Sequence, residues 1–551
     1  MEVVCIFGRG FRPMYKTLSQ GRMPYAVLTF LCAALFLPGL SAVPPTDRDE
    51  ARFMQASKQM LETDDIVTIQ FQEEPRTKKP IGIHWLQVAS VKLFAGGDTQ
   101  AEWAYRLPSV ISAWLAVLCT FAIGRRLFDS QTGLLAAGLL ACTVLTVIEA
   151  HLAKTDAALL LTVIVAHLAL LEFYLSPAEK TPPFMTVLLF WSAIGLGLLI
   201  KGPIIAIVVV ATALSLSLVD KNARWLGGLQ PTAGIPVAVA FLLPWLVGSM
   251  LAGNEDVIFQ SLSEDFLPKL VGGEESHGAP PGSYLAASPL TLWPASLIIF
   301  PGLLVAWRHR SEPAVRFALA WAIAPWLMFE LAPTKLPHYI LPAIPGLALA
   351  SAAAVAKADF SIPRWSKIFW GLCGVILATG LAWATWTYGG ARLIAGAIAV
   401  ILIAAAAALT WTPERNLRVL VPVLAITIFG LVFAGLLPSL SDLSLSRRLA
   451  DTVERNGGGP IALSRYHEPS AVFLLGTGTW LTNRRNAVAH VAADPKALAA
   501  VAQDELGLVE NMITESNGTL VIVDRLDGYN YAKGRPETLV LIRSRTSSPS
   551  P

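Results

Sequence analysis

Apolar runs of bilayer-crossing length recur along this chain at roughly 24–43, 104–124, 133–148, 157–175, 183–200, 203–219, 232–252, 286–306, 315–332, 337–356, 366–387, 391–411 and 417–438. A helix rises ~1.5 Å per residue, so about 20 apolar residues cross the ~30 Å hydrocarbon core. Inside lipid, every backbone polar group must find its partner within the protein, which leaves helices as the element for such runs. The expected fold is therefore an α-helical polytopic membrane protein with about thirteen transmembrane helices. Charged residues make up only 15% of the chain, against about 25% in ordinary soluble domains.

The basic residues between the runs set an orientation. Arg125 and Arg126, Lys180, Lys221 with Arg224, Arg308 with Arg310 and Arg316, Lys357 with Arg364 and Lys367, and Arg415 with Arg418 all fall in alternate loops. With a cytoplasmic N-terminus these loops satisfy the positive-inside rule. The opposite face then receives the 46–103 segment, the His151–Asp156 turn, the 253–285 loop and everything after Pro438. No basic run is interleaved with aromatics, so a nucleic-acid partner is not expected. The five cysteines have no metal-binding spacing such as CxxC.

The chain divides into a membrane domain, 1–439, and a soluble domain, 440–551. Within the first, the spacing of Phe53, Ala56, Met60 and Leu61 against Arg52, Gln55 and Gln59 predicts a helix over 49–63 lying on the membrane. A second helix is expected from near Pro80. In the C-terminal unit, β-rich runs at 520–523 and 538–542 alternate with helix-like 444–456 and 495–511, which predicts a small α/β domain.

Charge gathers where the first span ends. Asp49 and Glu50 begin the 49–63 helix, and Arg52 stands three residues after Asp49 on a neighbouring helical position. The pair can cap the helix and complement its positive end, or it can place a carboxylate beside a guanidinium in a reaction site. Lys78 and Lys79 form a second cationic element, suited either to lipid headgroups or, with Arg52, to a bound phosphate. Asp156, in EAHLAKTDAAL, marks a water boundary or adds a second carboxylate on Asp49's face. His277 lies between Glu275 and a Gly/Pro-rich stretch and is either a loop histidine or a metal ligand. Lys335 either snorkels to the interface or supplies another phosphate contact. Lys201–Gly202–Pro203 reads as a structural turn between two spans.

Taken in order, DRDEARF, KKPIGIHWLQ, KTDAAL, KGP, SHGAPPGSY and KLPHYILPAIP, together with EPSAVFLLG at 468–476, resemble the lipid A aminoarabinose transferase family. The resemblance extends to related galacturonosyl and mannosyl transferases of the GT-C fold. It implies an inverting glycosyltransferase of the bacterial inner membrane, with its site and C-terminal domain periplasmic. The implied donor is a polyprenyl-phosphate-linked sugar, and the implied acceptor is lipid A or lipopolysaccharide core. The family's acidic positions map onto Asp49, Glu50 and Asp156, its phosphate contacts onto Arg52 and Lys79, and its loop histidine onto His277 as ligand of a divalent cation. Lys335 is a further candidate phosphate contact. Many members have Glu-Lys-Pro where this chain has Lys78–Lys79–Pro80, which places the metal in question and makes Lys78 an added phosphate contact. The alternatives are a protein O-glycosyltransferase and, outside the enzymes, a lipid flippase. A flippase would carry ionisable residues at the bilayer midplane and an internal repeat, whereas here charge sits at span ends and no repeat is visible.

Overall fold

The computed structural model describes residues 19–76, 79–176, 182–253, 278–411, 414–516 and 518–546. All thirteen apolar runs are largely helical. Among the described residues, nine helices are long and apolar enough to cross a membrane, from Glu102–Leu127 to Arg418–Ser439. A tenth crossing is the pair Ser130–Ala141 and Val144–His151, bent by 62°. Three runs expected as full spans form shorter helices, Met23–Phe36, Ile204–Asp220 and Ser296–Arg308. The first stops because Pro38, two residues beyond its end, has no N–H with which to continue the ladder. The bundle is closely packed where small residues allow it. A Cβ on Gly124 would lie 2.5 Å from the Cα of Gly133, so the Glu102–Leu127 and Ser130–Ala141 helices can approach this closely only with glycine at the crossing.

The helix Asp49–Thr63 forms over the expected residues, but it does not lie exposed on a membrane surface. Every residue from Phe53 to Met60 is buried, polar ones included. Its polar face meets the C-terminal domain: Lys58 Nζ donates to the Phe473 carbonyl at 2.8 Å, and Gln55 Nε2 donates to Thr477 Oγ1 at 2.7 Å. Gln59 Nε2 donates to the Gln72 carbonyl at 2.6 Å, beside the short antiparallel pair β1 (Gln70–Phe71) and β2 (Glu74–Pro75). The expected second helix is Gly82–Phe94, which packs against the first.

The C-terminal domain is a five-stranded mixed sheet. Its strands are β3 (Ile461–Ser464), β4 (Trp480–Thr482), β5 (Leu498–Ala502), β6 (Gly518–Asn530) and β7 (Arg535–Thr546), in the order β4-β3-β5-β7-β6. The neighbours β4, β3 and β5 are parallel, while β7 is antiparallel to β5 and β6. The expected helix over 495–511 is instead β5 followed by the helix Leu506–Glu515. Leu498–Ala502 is alanine-rich and reads as helical, yet all five residues are buried in the sheet's centre, and pairing on both edges overrides local propensity.

Candidate functional site

One end of the bundle brings together the 46–103 segment, the His151–Asp156 turn and the C-terminal domain. The turn between the Val144–His151 and Asp156–Leu175 helices carries Lys154 and Asp156. Lys201 ends the helix Phe184–Lys201, and Gly202 after it takes φ +69° with ψ −154°, a conformation open to glycine, so the ammonium stands at a sharp helix end. The segment before Ile344–Val355 supplies His338 and Tyr339.

These residues make a charged cluster inside apolar walls. Lys201 Nζ donates to Asp156 Oδ1. Lys154 Nζ donates to Glu149 Oε1 at 3.1 Å and lies 4.0 Å from Asp156 Oδ2. His338 faces both acids, with Nδ1 3.9 Å from Glu149 and Nε2 3.8 Å from Asp156. The Lys201 ammonium sits 5.5 Å from the centre of the Tyr339 ring. The Asp156 and Glu149 side chains are only 5% and 4% exposed. A buried ion costs several kcal/mol of lost hydration, and an opposite charge at about 4 Å returns about 4 kcal/mol at an effective dielectric of ~20. The two lysines and two carboxylates are therefore stable only as an alternating set. Burial alone would pull the Lys154 pKa down, but the carboxylates of Glu149 and Asp156 hold it above its ordinary value, so it stays charged.

Asp49 stands next to this set. Its charge acts on Lys154 and on His338, yet its side chain is exposed, and among the described residues no hydrogen bond or ion pair engages it. Arg52 is likewise exposed on the same helix. Lys79 is half-buried in the bend before Gly82–Phe94. A Cβ on Gly82 would lie 2.6 Å from the Leu199 carbonyl, so this glycine lets the Lys79 segment reach the helix end that bears Lys201. Lys78 and His277 lie outside the described residues. Lys335 is apart from the acidic cluster: its ammonium donates at 2.6 Å to Ala332, at the C-terminal end of the Pro313–Leu331 helix, where a cation suits the helix dipole.

Glu50 has a different setting from its neighbour. It is 1% exposed and accepts from Arg106 Nε at 2.8 Å, from the Thr46 amide and hydroxyl at 2.8 and 2.7 Å, and from the Ala153 amide at 3.0 Å. Burial pushes its pKa up, but the Arg106 guanidinium and these donors outweigh that and hold it below the ordinary carboxylate value. A carboxylate so fully engaged holds structure and does not exchange protons with a substrate. Lys201, by contrast, reads in the sequence as part of a structural turn, yet it belongs to the cluster. The signal available is its position at the end of an apolar run that points to the same face as Asp156.

The described residues contain no group of three or more His, Cys, Asp or Glu side chains arranged to hold a metal ion. Glu149 and Asp156 are already taken by ammonium groups.

Next to Glu50, Asp47 ties the site to the C-terminal domain. The Ser470 amide donates to Asp47 Oδ1 at 2.9 Å, and the Asp47 amide donates to the Tyr531 hydroxyl. Burial, partly offset by hydrogen bonds from Ser470 and reinforced by nearby Glu468, pushes the Asp47 pKa up to about 6. A carboxyl whose pKa is raised in the docked state favours docking most fully when protonated, and that contribution is lost as pH rises through about 6. Hydrogen exchange around Ser470 and Tyr531 is thus expected to slow, after correction for intrinsic rates, between pH 7.5 and pH 5. Asp47→Asn should remove this dependence, and protection that weakens on acidification would contradict the assignment.

Comparison with known proteins adds likeness in sequence and fold. Residues 78–247 match the family model described as dolichyl-phosphate-mannose-protein mannosyltransferase. The undecaprenyl phosphate-alpha-4-amino-4-deoxy-L-arabinose arabinosyl transferase of Pseudomonas paraeruginosa is 27% identical over 337 residues, 61% of this chain and 60% of that protein. Its counterpart in Aeromonas hydrophila is 28% identical over 374 residues, 66% of each chain. The match thus spans less than two thirds of these relatives' length. The crystal structure of ArnT from Cupriavidus metallidurans bound to undecaprenyl phosphate superposes with a TM-score of 0.72 at 19% identity, covering 94% of this chain and 97% of that one. The resemblance drawn from the motifs is borne out, and so is the fold expected from it.

Proposed function

We propose that this chain, a multi-pass membrane protein with the GT-C fold of the lipid A aminoarabinose transferase-like family, is an inverting glycosyltransferase. It transfers a sugar from a polyprenyl-phosphate donor to lipid A or lipopolysaccharide core at the periplasmic face of a bacterial inner membrane. The observation that carries this reading is an exposed carboxylate, Asp49, near enough to the Lys154 ammonium for its charge to act on it, at the end of the bundle where Lys154 and Lys201 both meet Asp156.

In this scheme Asp49 takes the proton of the acceptor hydroxyl as its oxygen bonds to the anomeric carbon. The bond from that carbon to the phosphate oxygen breaks, and its electron pair leaves with the polyprenyl phosphate. Charge growing on that phosphate is met by Lys201 and Lys154, with Lys79 and Arg52 at the rim, and such preorganised stabilisation supplies most of the rate acceleration in many enzymes. Asp156 keeps the two ammonium groups in place. Lys335, tied to the Ala332 carbonyl, is left out of this set of phosphate contacts, while Lys78 as an added phosphate contact and His277 with a divalent cation remain expectations.

Purified protein given radiolabelled polyprenyl-phosphate sugar and lipid A acceptor should move label to the acceptor. Lipid crossing between leaflets with no labelled acceptor would replace the transferase by a flippase. A second reading, transfer to exported proteins, is favoured by the description of the family model that matches residues 78–247. Mass spectrometry of a deletion strain separates the two: lost lipid A or core glycoforms support the first, and lost glycoproteins with unchanged glycoforms support the second.

A further inference from the structure

The turn that carries Lys154 and Asp156 has little backbone support of its own. It lies between two helices, and its internal bonds are those from the Lys154 amide to Leu152 at 2.8 Å and from the Leu159 amide to Thr155 at 2.9 Å. Buried peptide groups must be paired, so the remaining partners come from elsewhere. Three side chains from three different helices supply them. Glu50 Oε1 accepts the Ala153 amide at 3.0 Å. Gln87 Nε2 donates to the Ala153 carbonyl at 3.1 Å. Ser109 Oγ donates to the Leu152 carbonyl at 2.7 Å, with the Lys154 carbonyl at 3.4 Å. Ala153, Gln87 and Ser109 are fully buried, and Glu50 nearly so.

The Gln87 amide is itself oriented. A carbonyl only accepts, so the Gln87 nitrogen must face Ala153 and its oxygen must face away. That oxygen accepts the Ser57 hydroxyl at 2.6 Å. Ser57 has one proton, which it gives to Gln87, so at the 2.8 Å contact with His84 it must accept from Nδ1–H. Burial, with Arg76 nearby, pushes the His84 pKa down to about 3, so the ring is neutral and keeps this tautomer. Hydrogen bonds thus run in one direction from His84 through Ser57 and Gln87 to the Ala153 carbonyl. The helices Asp49–Thr63 and Gly82–Phe94 both end, through this chain and through Glu50, on one residue, Ala153, whose two flanking peptide units they hold.

We infer that Glu50, Gln87 and Ser109 are positioning residues: together they clamp the Leu152–Lys154 backbone and so aim Lys154 at the donor phosphate and Asp156 at the two ammonium groups. The inference rests on the proposed transferase reading for its consequence, but the clamp has a readout of its own. Gln87→Glu keeps the shape while replacing the donor that faces Ala153 with an acceptor. Ser109→Ala removes the other hydrogen bond, and Ser109→Thr retains a hydroxyl.

In full-length protein in detergent, hydrogen exchange of the peptide covering 152–155 should rise in Gln87→Glu and in Ser109→Ala, and should return toward wild type in Ser109→Thr. With labelled polyprenyl-phosphate sugar, kcat should fall about 10- to 100-fold in the first two, the scale expected for catalytic groups displaced by about an ångström, while donor KM stays within about twofold. Unchanged exchange in Gln87→Glu would overturn the clamp. Raised exchange with wild-type kcat would overturn its role in aiming the charges, as would a kcat loss that Ser109→Thr fails to rescue. A wild-type protein that transfers no label refutes the transferase reading instead, and the exchange experiment still decides the clamp.

Discussion

Asp49→Asn is expected to reduce label transfer by about 10²- to 10⁴-fold, the usual contribution of a positioned general base, without changing the amount or elution profile of the purified protein. The structural cost should be small because the carboxylate is exposed and makes no hydrogen bond among the described residues. Asp156→Asn should behave differently. It leaves Lys201 and Lys154 buried with one carboxylate between them, so folding stability and transfer should decline together. Near-wild-type turnover in Asp49→Asn would remove it as the base and leave Asp156, the other carboxylate on that face, as the alternative.

The apolar runs were legible because a membrane span is written in one continuous stretch of sequence, and the Asp49–Thr63 helix because its period is local. What covers that helix was not legible. Lys58 meets Phe473 and Gln55 meets Thr477 more than 400 residues away in the chain, and nothing near position 55 announces either partner. Glu50 and Asp49 look alike as neighbouring acids on a helix start. They separate only when Arg106, 56 residues on, is folded against one of them. The same holds for Lys201, whose role appears once the Phe184–Lys201 helix brings it to Asp156, 45 residues earlier. Topology alone could have ranked it higher, since both residues sit at span ends on one face. The EPSAVFLLG motif is visible as part of the resemblance, but its work becomes clear only in the fold. The Pro469–Leu475 helix within it packs on Asp49–Thr63 and thereby covers the segment that bears Asp49 and Glu50.

Arg106→Met should be the most destabilising single change, because it strands the Glu50 carboxylate in the interior. The two side chains are 1% and 0% exposed. Beyond its bidentate contact with Glu50, Arg106 Nη1 donates to the Leu40 and Val43 carbonyls at 2.8 and 2.6 Å, and Nη2 donates to Pro44 at 3.2 Å. One guanidinium thus closes the chain between the first helix and Asp49–Thr63, a job that lysine, with a single ammonium point, cannot repeat. Removing one partner of a buried pair costs about 3–5 kcal/mol, whereas removing both charges costs far less. The double variant Arg106→Met/Glu50→Gln should therefore recover much of the loss. Membrane proteins of this size commonly unfold irreversibly, so the measurement is the half-life of the monodisperse peak at fixed temperature, not an equilibrium midpoint. If the double variant is no longer-lived than Arg106→Met alone, the stranded charge is not the cause, and the lost carbonyl contacts are. Even the recovered protein should be slow in transfer, because glutamine can present its amide oxygen to Ala153 only at the expense of the contacts that Thr46 makes with the carboxylate.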